Sequence, residues 1–161
     1  MQGRPKAMVY IKDEGSLFDA PIDFVWKYIF GGEEHDSAHK TTRNPKFEKV
    51  SDITIIYASE RYLRGKWSPD RMRISMFPPI SVVTEWLEGV LAGSKLTYVY
   101  SPQGDKTRID VYGEFVSKTL SPEDVEAAAR EFLETEYNAD APSIRAAFQK
   151  VRETGRHSKS G

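Results

Sequence analysis

Hydrophobic and polar residues alternate with a period of two from Phe47 to Val116. Alternation of this kind places successive side chains on opposite faces of a strand, and it predicts an antiparallel sheet with one apolar face and one solvated face. Short turn sequences, including SPQGDK at 101–106, separate the alternating segments. The apolar positions of the pattern are Ile53, Ile55, Tyr57, Met72, Ile74, Met76, Leu96, Tyr98, Tyr100, Ile109, Val111 and Phe115. The spacing predicts six consecutive strands.

The N-terminal segment predicts one further strand and a short helix. β-branched and aromatic residues run through AMVYIKDEGSLFDAP, a strand interrupted or bent near Gly15. In PIDFVWKYIF the apolar residues have helical spacing and Pro21 stands in the first turn, while Gly31 and Gly32 end this helix. The strands then number seven and suit a strongly curved meander.

The C-terminal segment predicts a long helix that begins at Ser121, a favourable N-cap residue followed by proline. Its apolar stripe is Val125, Ala128, Ala129, Phe132 and Leu133, and the opposite face is acidic. The sequence NADAP interrupts the pattern, which leaves one kinked helix or two helices in sequence. We expect a flexible N-terminus at 1–7, one domain at 8–153 and a disordered tail at 154–161.

Composition narrows the function classes. The chain has 161 residues, 23 Lys and Arg against 24 Asp and Glu, and no cysteine. Neither half of the chain is strongly basic, which disfavours nucleic-acid binding. The absence of cysteine excludes disulfides and thiolate chemistry. No apolar run has the length of a membrane span or a signal peptide, so we expect a cytoplasmic protein without stable membrane insertion. No Gly-rich phosphate loop occurs, and we expect no cofactor.

The order of these elements resembles the helix-grip fold of the START-like, or SRPBCC, superfamily. The resemblance rests on four stretches that follow one another in family order: GSLFDAPIDFVWKYI, NPKFEKV, FPPISVVTEWLEG and GDKTRIDVYGEF. Together with the C-terminal helix they cover residues 8–152. The superfamily includes pollen allergens, lipid-transfer domains and bacterial polyketide cyclases. The resemblance implies an α+β fold, with two short helices after the first strand and a curved sheet gripping the long helix.

The resemblance also implies an apolar cavity between sheet and helix, and several side chains are candidates for its wall. Aromatic rings with polar tips and adaptable methionines suit a cavity of this kind, although an ordinary filled core gives the same pattern. The candidates are Tyr57, Arg61, Met72, Ile74, Met76, Glu85, Trp86, Tyr98, Tyr100 and Phe132.

Arg61 is the charged residue of interest among these candidates. It shares parity with Tyr57 and points inward unless the strand ends or bulges first. An inward arginine requires a partner or a ligand anion, and Glu85 on another strand is a reasonable partner. The sequence leaves undecided which residues of that strand face inward, because Glu85 and Glu88 have opposite parity and cannot both face outward on a regular strand.

The stretch HDSAH at 35–39 differs by one methylene from the zinc-protease motif His-Glu-x-x-His. On a helix, His35 and His39 would share one face. Zinc usually needs a third protein ligand, and no third histidine follows in KTTRNPKF, so the sequence predicts no metal here. In the helix-grip interpretation the stretch forms the second short helix at the cavity mouth. The two histidines are then either a polar cluster at the ligand entrance or a solvated pair.

Three functions remain compatible with these features. The first is binding, with transport as an option, of a small hydrophobic or amphipathic molecule such as a lipid or a polycyclic, polyketide-like compound. The second is a cyclase or aromatase that uses Arg61, Glu85 and a tyrosine as acid–base groups. The third is a co-chaperone-like or regulatory protein-binding module that uses the acidic helix face around Glu126, Glu134 and Glu136.

Overall fold

A computed structural model describes residues 8–31, 35 and 38–159, with side chains as far as residue 155. Its strands and helices follow the predicted order. They are β1 (Val9–Phe18), α1 (Ile22–Ile29), β2 (Thr42–Lys49), β3 (Thr54–Leu63), β4 (Lys66–Phe77), β5 (Ser81–Glu88), β6 (Lys95–Gln103), β7 (Lys106–Phe115) and α2 (Pro122–Lys159). The second short helix expected after β1 falls largely outside the described residues, although His35 and Ala38 have helical backbone.

All seven strands form one antiparallel sheet in the order β1-β7-β6-β5-β4-β3-β2. The predicted meander from β2 to β7 is therefore confirmed. β1 pairs with β7, and its register shifts between Asp13 and Ser16, where Gly15 adopts a φ of 86°. Glycine accepts this left-handed conformation without a side-chain clash, so the predicted bend near Gly15 is a β-bulge.

The C-terminal segment is one helix of 38 residues with Pro142 inside it, rather than two helices in sequence. It continues to Lys159, past residue 153, where the sequence predicted the start of a disordered tail. Ser121 lies just before it and accepts a hydrogen bond from the Asp124 amide, as an N-cap residue does. Across the described ranges, no helix is both long enough and apolar enough to cross a membrane.

α2 packs across the concave face of the sheet through aromatic contacts. The Phe132 ring lies edge-on against Trp86 at a centroid distance of 5.1 Å, and Tyr137 stacks on Phe18 at 5.7 Å. Phe115, which is fully buried, completes this layer against Trp86. These rings fix one end of the helix against the sheet, as large rings with little rotamer freedom do.

α1 closes the other end of the space between the sheet and α2. The Trp26 indole Nε1 donates a hydrogen bond to the Pro79 carbonyl at 2.8 Å, which ties α1 to the β4–β5 turn. The Tyr28 hydroxyl contacts the Ser143 hydroxyl of α2. The sheet, α1 and α2 thus form the predicted helix grip and surround an internal space.

Candidate functional site

A cavity of about 720 Å³ lies between the sheet and the helices. This volume falls within the range of small-molecule binding sites. Most of its wall is apolar and comes from the inward faces of β1, β3, β4, β5, β6 and β7 together with α2. Representative wall residues are Ile11, Phe18, Ile55, Val82, Val111 and Leu133.

Nine of the side chains named from the sequence line this cavity. They are Tyr57, Arg61, Met72, Ile74, Tyr98, Tyr100, Phe132, His35 and His39. The period-two alternation placed the strand residues correctly on the concave face. His35 and His39 line the same space, so they are not a solvated pair: their side chains are 15% and 10% exposed.

Three of the named residues do not line the cavity. Trp86 is 3% exposed and packs between Phe115 and Phe132 in the core. Met76 packs half-buried against the same core. Glu85 has the opposite parity to the buried Trp86 and lies in register with Arg73 and Lys95, on the outer face.

The predicted pairing of Arg61 with Glu85 is therefore wrong. Arg61 points inward, as predicted, but its Nε donates to Asp70 Oδ2 at 2.7 Å and its Nη1 donates to Glu136 Oε1 at 2.9 Å. Its guanidinium also lies over the Phe132 ring, 4.8 Å from the centroid. Arg61 and Asp70 are each less than a tenth exposed. The result is a buried ion pair extended by a second carboxylate from α2.

Burial and charge act against each other on these groups. Burial lowers the pKa of Arg61, but the Glu136 and Asp70 carboxylates outweigh this effect and raise it, so Arg61 stays charged. Burial raises the pKa of Asp70 above its usual value, even though Arg61 pulls it down. The close approach of the Gly89 backbone contributes to this burial, because a Cβ built on Gly89 would lie 2.6 Å from Asp70 Oδ1.

The second polar group of the cavity is a triangle of three side chains. His35 Nε2 and His39 Nε2 each lie 2.8 Å from the same atom, Asp140 Oδ1, and 3.0 Å from one another. His39 Nδ1 lies 3.1 Å from Glu136 Oε2. Asp140 is 16% exposed and Glu136 is 20% exposed. We call His35, His39, Asp140 and Glu136 the histidine–carboxylate cluster.

Hydrogen bonding inside this cluster shifts its protonation. Burial lowers the pKa of His39, but hydrogen bonds to Asp140 and Glu136 outweigh burial and raise it to about 10. Burial raises the pKa of Asp140, and its hydrogen bonds to His35 and His39 more than compensate, so the pKa ends below its usual value. The pKa of Glu136 is lowered in the same way, by His39 and then Arg61 against the effect of burial.

Glu136 joins the two polar groups into one chain. Its Oε1 accepts from Arg61 and its Oε2 contacts His39. Glu136 and Asp140 are one helical turn apart on α2, so both carboxylates project from one face of the helix. A continuous polar path therefore runs along one side of a largely apolar cavity, through Asp70, Arg61, Glu136, His39, Asp140 and His35.

Glu136 also corrects the interpretation of the acidic helix face. The sequence grouped Glu136 with Glu126 and Glu134 as one solvated surface, but Glu136 faces the cavity. Glu134 is exposed and adjoins the cavity, while Glu126 pairs with Arg130 on the surface. The three acids thus do not form one continuous surface for a protein partner.

Two of the cavity tyrosines, Tyr98 and Tyr100, stay neutral. Burial raises the pKa of Tyr98 well above its ordinary value, and burial followed by the Asp140 charge raises the pKa of Tyr100. Tyr100 packs edge-on against Trp26 at 5.4 Å and lies 6.3 Å from the Tyr98 ring. These residues offer ring surface and hydroxyl groups rather than phenolate charge.

Comparison with known proteins defines the fold class. No protein-family model matches the sequence, and no curated protein sequence matches it significantly. Solved structures do match, among them the aromatase/cyclase Zhui from a Streptomyces species, with a TM-score of 0.74 at 15% identity over 92% of this chain and 99% of that one. A START superfamily protein from Mycobacterium smegmatis has a TM-score of 0.69 at 13% identity, covering 87% of this chain and 98% of that chain.

Norcoclaurine synthase from Thalictrum flavum, solved with dopamine and hydroxybenzaldehyde, has a TM-score of 0.65 at 15% identity over 93% of this chain and 95% of that chain. The protein has the helix-grip fold of these structures. At these identities the likeness concerns the fold, and the functional argument depends on the cavity itself.

Proposed function

We propose that the protein binds one small amphipathic molecule in its internal cavity. The observation that carries this proposal is the distribution of polar groups: the wall is largely apolar, and the charged wall residues that are not exposed, Arg61 and the histidine–carboxylate cluster, form one chain of contacts. A site of this kind takes up an apolar body by burying it and orients a polar end by a few hydrogen bonds. The fold-level likeness to helix-grip proteins supports the same proposal.

The charge of the polar side indicates which polar end fits. Asp70, Glu136 and Asp140 carry three negative charges, whereas Arg61 and a protonated His39 carry two positive charges. The balance is negative, and Arg61 already donates to two carboxylates. An anionic ligand such as a free fatty acid would add unfavourable charge, so the ligand class is a neutral oxygenated molecule of the polycyclic, polyketide-like or lipid alcohol type.

A displacement experiment tests this proposal. A neutral naphthalene dye should bind saturably with near one-to-one stoichiometry, and a long-chain alcohol should displace it better than the fatty acid of equal length. Val111→Phe should abolish dye binding, because Val111 lines the cavity. Val151→Phe is the matched control, because Val151 is 56% exposed on α2. Absence of saturable binding across neutral and anionic panels, or equal binding by both variants, would contradict the proposal.

A second candidate function is catalysis of the cyclase or aromatase type on a polyketide-like ligand. One observation favours it: polar side chains converge within the cavity, where they can hold a flexible carbonyl compound in one reactive conformation. Of the groups named from the sequence, Glu85 is outside the cavity, while Arg61 and the tyrosines remain. Incubation with linear poly-ketone substrates, followed by mass spectrometry for loss of water, tests this candidate. Unchanged substrate despite measured binding would leave binding as the function.

A further inference from the structure

The contacts among His35, His39 and Asp140 cannot all be ordinary hydrogen bonds. Each Nε2 atom presents a single site, either an N–H or a lone pair, yet each contacts two partners within 3.0 Å. If both Nε2 atoms carry protons, two N–H groups face each other across 3.0 Å. If one lacks its proton, its lone pair faces the carboxylate oxygen at 2.8 Å. One edge of the triangle therefore always brings like partners together, and a cation between the three atoms satisfies all of them.

The dimensions of the triangle match a coordination sphere. An octahedral ion with bonds of about 2.1 Å separates neighbouring ligand atoms by about 3.0 Å. The three separations here are 2.8, 2.8 and 3.0 Å. Two imidazole nitrogens and one carboxylate oxygen on one face, with the remaining positions open, is a donor set that binds divalent first-row transition metals.

The surroundings of His39 support this role for its Nε2 atom. A metal-ligating histidine commonly donates its other ring N–H to a carboxylate, which fixes the tautomer. His39 Nδ1 has such a partner in Glu136 Oε2 at 3.1 Å, and Arg61 in turn holds Glu136 Oε1. With Nδ1–H directed at Glu136, a His39 ring that releases its Nε2 proton when a metal binds presents a lone pair at Nε2 toward Asp140 and His35.

The charge of the buried group is also suited to a divalent ion. With both histidines neutral, Arg61 faces three carboxylates, those of Asp70, Glu136 and Asp140, and two negative charges remain. One protonated histidine neutralises half of this excess. A divalent cation neutralises all of it, and buried charge requires such compensation.

We propose that His35, His39 and Asp140 bind one divalent first-row transition-metal ion at the polar side of the cavity, with Glu136 as a positioning residue. The sequence argued against a metal because no third histidine followed HDSAH, whereas the third ligand comes from α2, 101 residues beyond His39. All three ligands line the cavity, so water or an oxygen of a bound molecule can fill the open positions. The inference does not rest on the proposed function, because the metal alone is the probe.

Metal titration of the full chain tests this inference. After removal of metals by chelation, Zn²⁺, Co²⁺ and Mn²⁺ should each bind with about one equivalent. Affinity should follow the usual order for nitrogen and oxygen ligands, with Zn²⁺ tighter than Mn²⁺, while Mg²⁺ and Ca²⁺ compete poorly because they prefer oxygen ligands. Co²⁺ provides a direct readout through its visible absorption bands, which report imidazole and carboxylate coordination.

Two ligand variants and one positioning variant define the site. Asp140→Asn and His39→Gln should each lose saturable binding. Glu136→Gln should weaken binding by about 10–100-fold and alter the Co²⁺ spectrum, because it removes the acceptor that orients His39. Asp105→Asn, a change of the same kind at an exposed residue of the β6–β7 turn, should bind like the wild type.

The wild-type titration decides the question even if a variant fails to fold. About one equivalent of Co²⁺ with d–d bands, removed by chelator and displaced by Zn²⁺, supports the site. Absence of saturable binding overturns it. Binding that persists unchanged in folded Asp140→Asn and His39→Gln also overturns it, because the metal would then lie elsewhere. Failure of dye binding with intact metal binding would reject the proposed function alone.

Discussion

Arg61 and Glu136 connect the sheet to the C-terminal helix through one partly buried hydrogen bond. The Nη1 atom of Arg61 on β3 donates to Oε1 of Glu136 on α2 at 2.9 Å, across 75 residues of sequence. Arg61 also holds Asp70 on β4, so one guanidinium compensates two buried carboxylates. Removing the cation is then more costly than removing an ordinary surface charge.

Arg61→Met should destabilise the metal-free protein by about 3–5 kcal/mol, because it leaves Asp70 and Glu136 buried without their shared cation. Urea unfolding at neutral pH measures this change. Arg71→Met is the matched control: Arg71 pairs with Glu88 at 3.4 Å, their side chains are 41% and 63% exposed, and the loss should be below about 1 kcal/mol. Equal losses in the two variants would show that the buried pair contributes no more than a surface pair.

Gly89→Ala should be more destabilising than Gly65→Ala, although both glycines have positive φ values, 115° and 82°. A side chain at either position strains the backbone by about 1–3 kcal/mol. Only at Gly89 would the new Cβ also collide with Asp70, at 2.6 Å from Oδ1, whereas nothing lies within 4 Å of a Cβ at Gly65. Denaturant midpoints compare the two variants. A smaller loss for Gly89→Ala would mean that Asp70 moves aside without weakening its bond to Arg61.

The ion pairs of Asp19 should make the stability of the fold depend on pH in the acid range. Hydrogen bonds from Arg145 of α2 and from Lys106 hold the pKa of Asp19 below its usual value. A carboxyl with a lowered pKa stabilises the fold above its unfolded-state pKa of about 3.9, and this stabilisation is lost as the pH falls through the folded-state pKa. Wild type should therefore exceed Asp19→Asn in stability at neutral pH, and the difference should close on acidification.

Thermal unfolding of both proteins over a pH series measures this difference. Asp105→Asn controls for the loss of one exposed carboxyl group without these two partners. A difference between wild type and Asp19→Asn that stays constant, or widens as the pH falls, would contradict the role of Arg145 and Lys106.

Trp26→Phe should loosen α1. The substitution keeps an aromatic ring against Tyr100 but removes the hydrogen bond to the Pro79 carbonyl, which costs about 1–2 kcal/mol. Hydrogen exchange of the α1 amides should be faster in the variant than in the wild type, whereas that of the β6 and β7 amides should change less. Trp67→Phe is the matched control, because the contacts of Trp67 are with Tyr62 of β3 and Arg43 of β2 and not with α1. Unchanged exchange in Trp26→Phe would show that apolar packing alone holds α1.

The fold could be predicted from the sequence because most of its strand pairings join segments that are adjacent in the chain. Each strand of the meander pairs with its neighbour in the chain, so alternation and turn sequences define strand and partner together. The wall residues of the cavity followed from the same alternation. Asp70 was overlooked. It lies two residues before Met72 on β4 and therefore faces the same side as Met72 and Ile74, so extending the alternation by one step would have identified it.

The polar site was less predictable because it depends on contacts between distant segments. Glu136 was assigned to the acidic face of the helix on grounds of charge, and Asp140 was not named as a site residue. Their spacing held a contrary signal, since Phe132, Glu136, Asp140 and Ile144 follow one another at intervals of four, and the first and last are buried. Spacing placed the two acids on the buried stripe, but only the docking of α2 against the sheet and against His35 and His39 brings them to the histidines and to Arg61.

The pairing of β1 with β7 has a consequence for the order in which the fold assembles. Every other strand contact joins chain neighbours, whereas residues paired between β1 and β7 lie roughly a hundred positions apart. Contacts of such long range pay the largest loop-closure entropy, and β1 has no partner until β7 has been synthesised. Because Ile11 and Phe18 of β1 form part of the cavity wall, the ligand chamber is complete only after contacts between distant parts of the chain have formed.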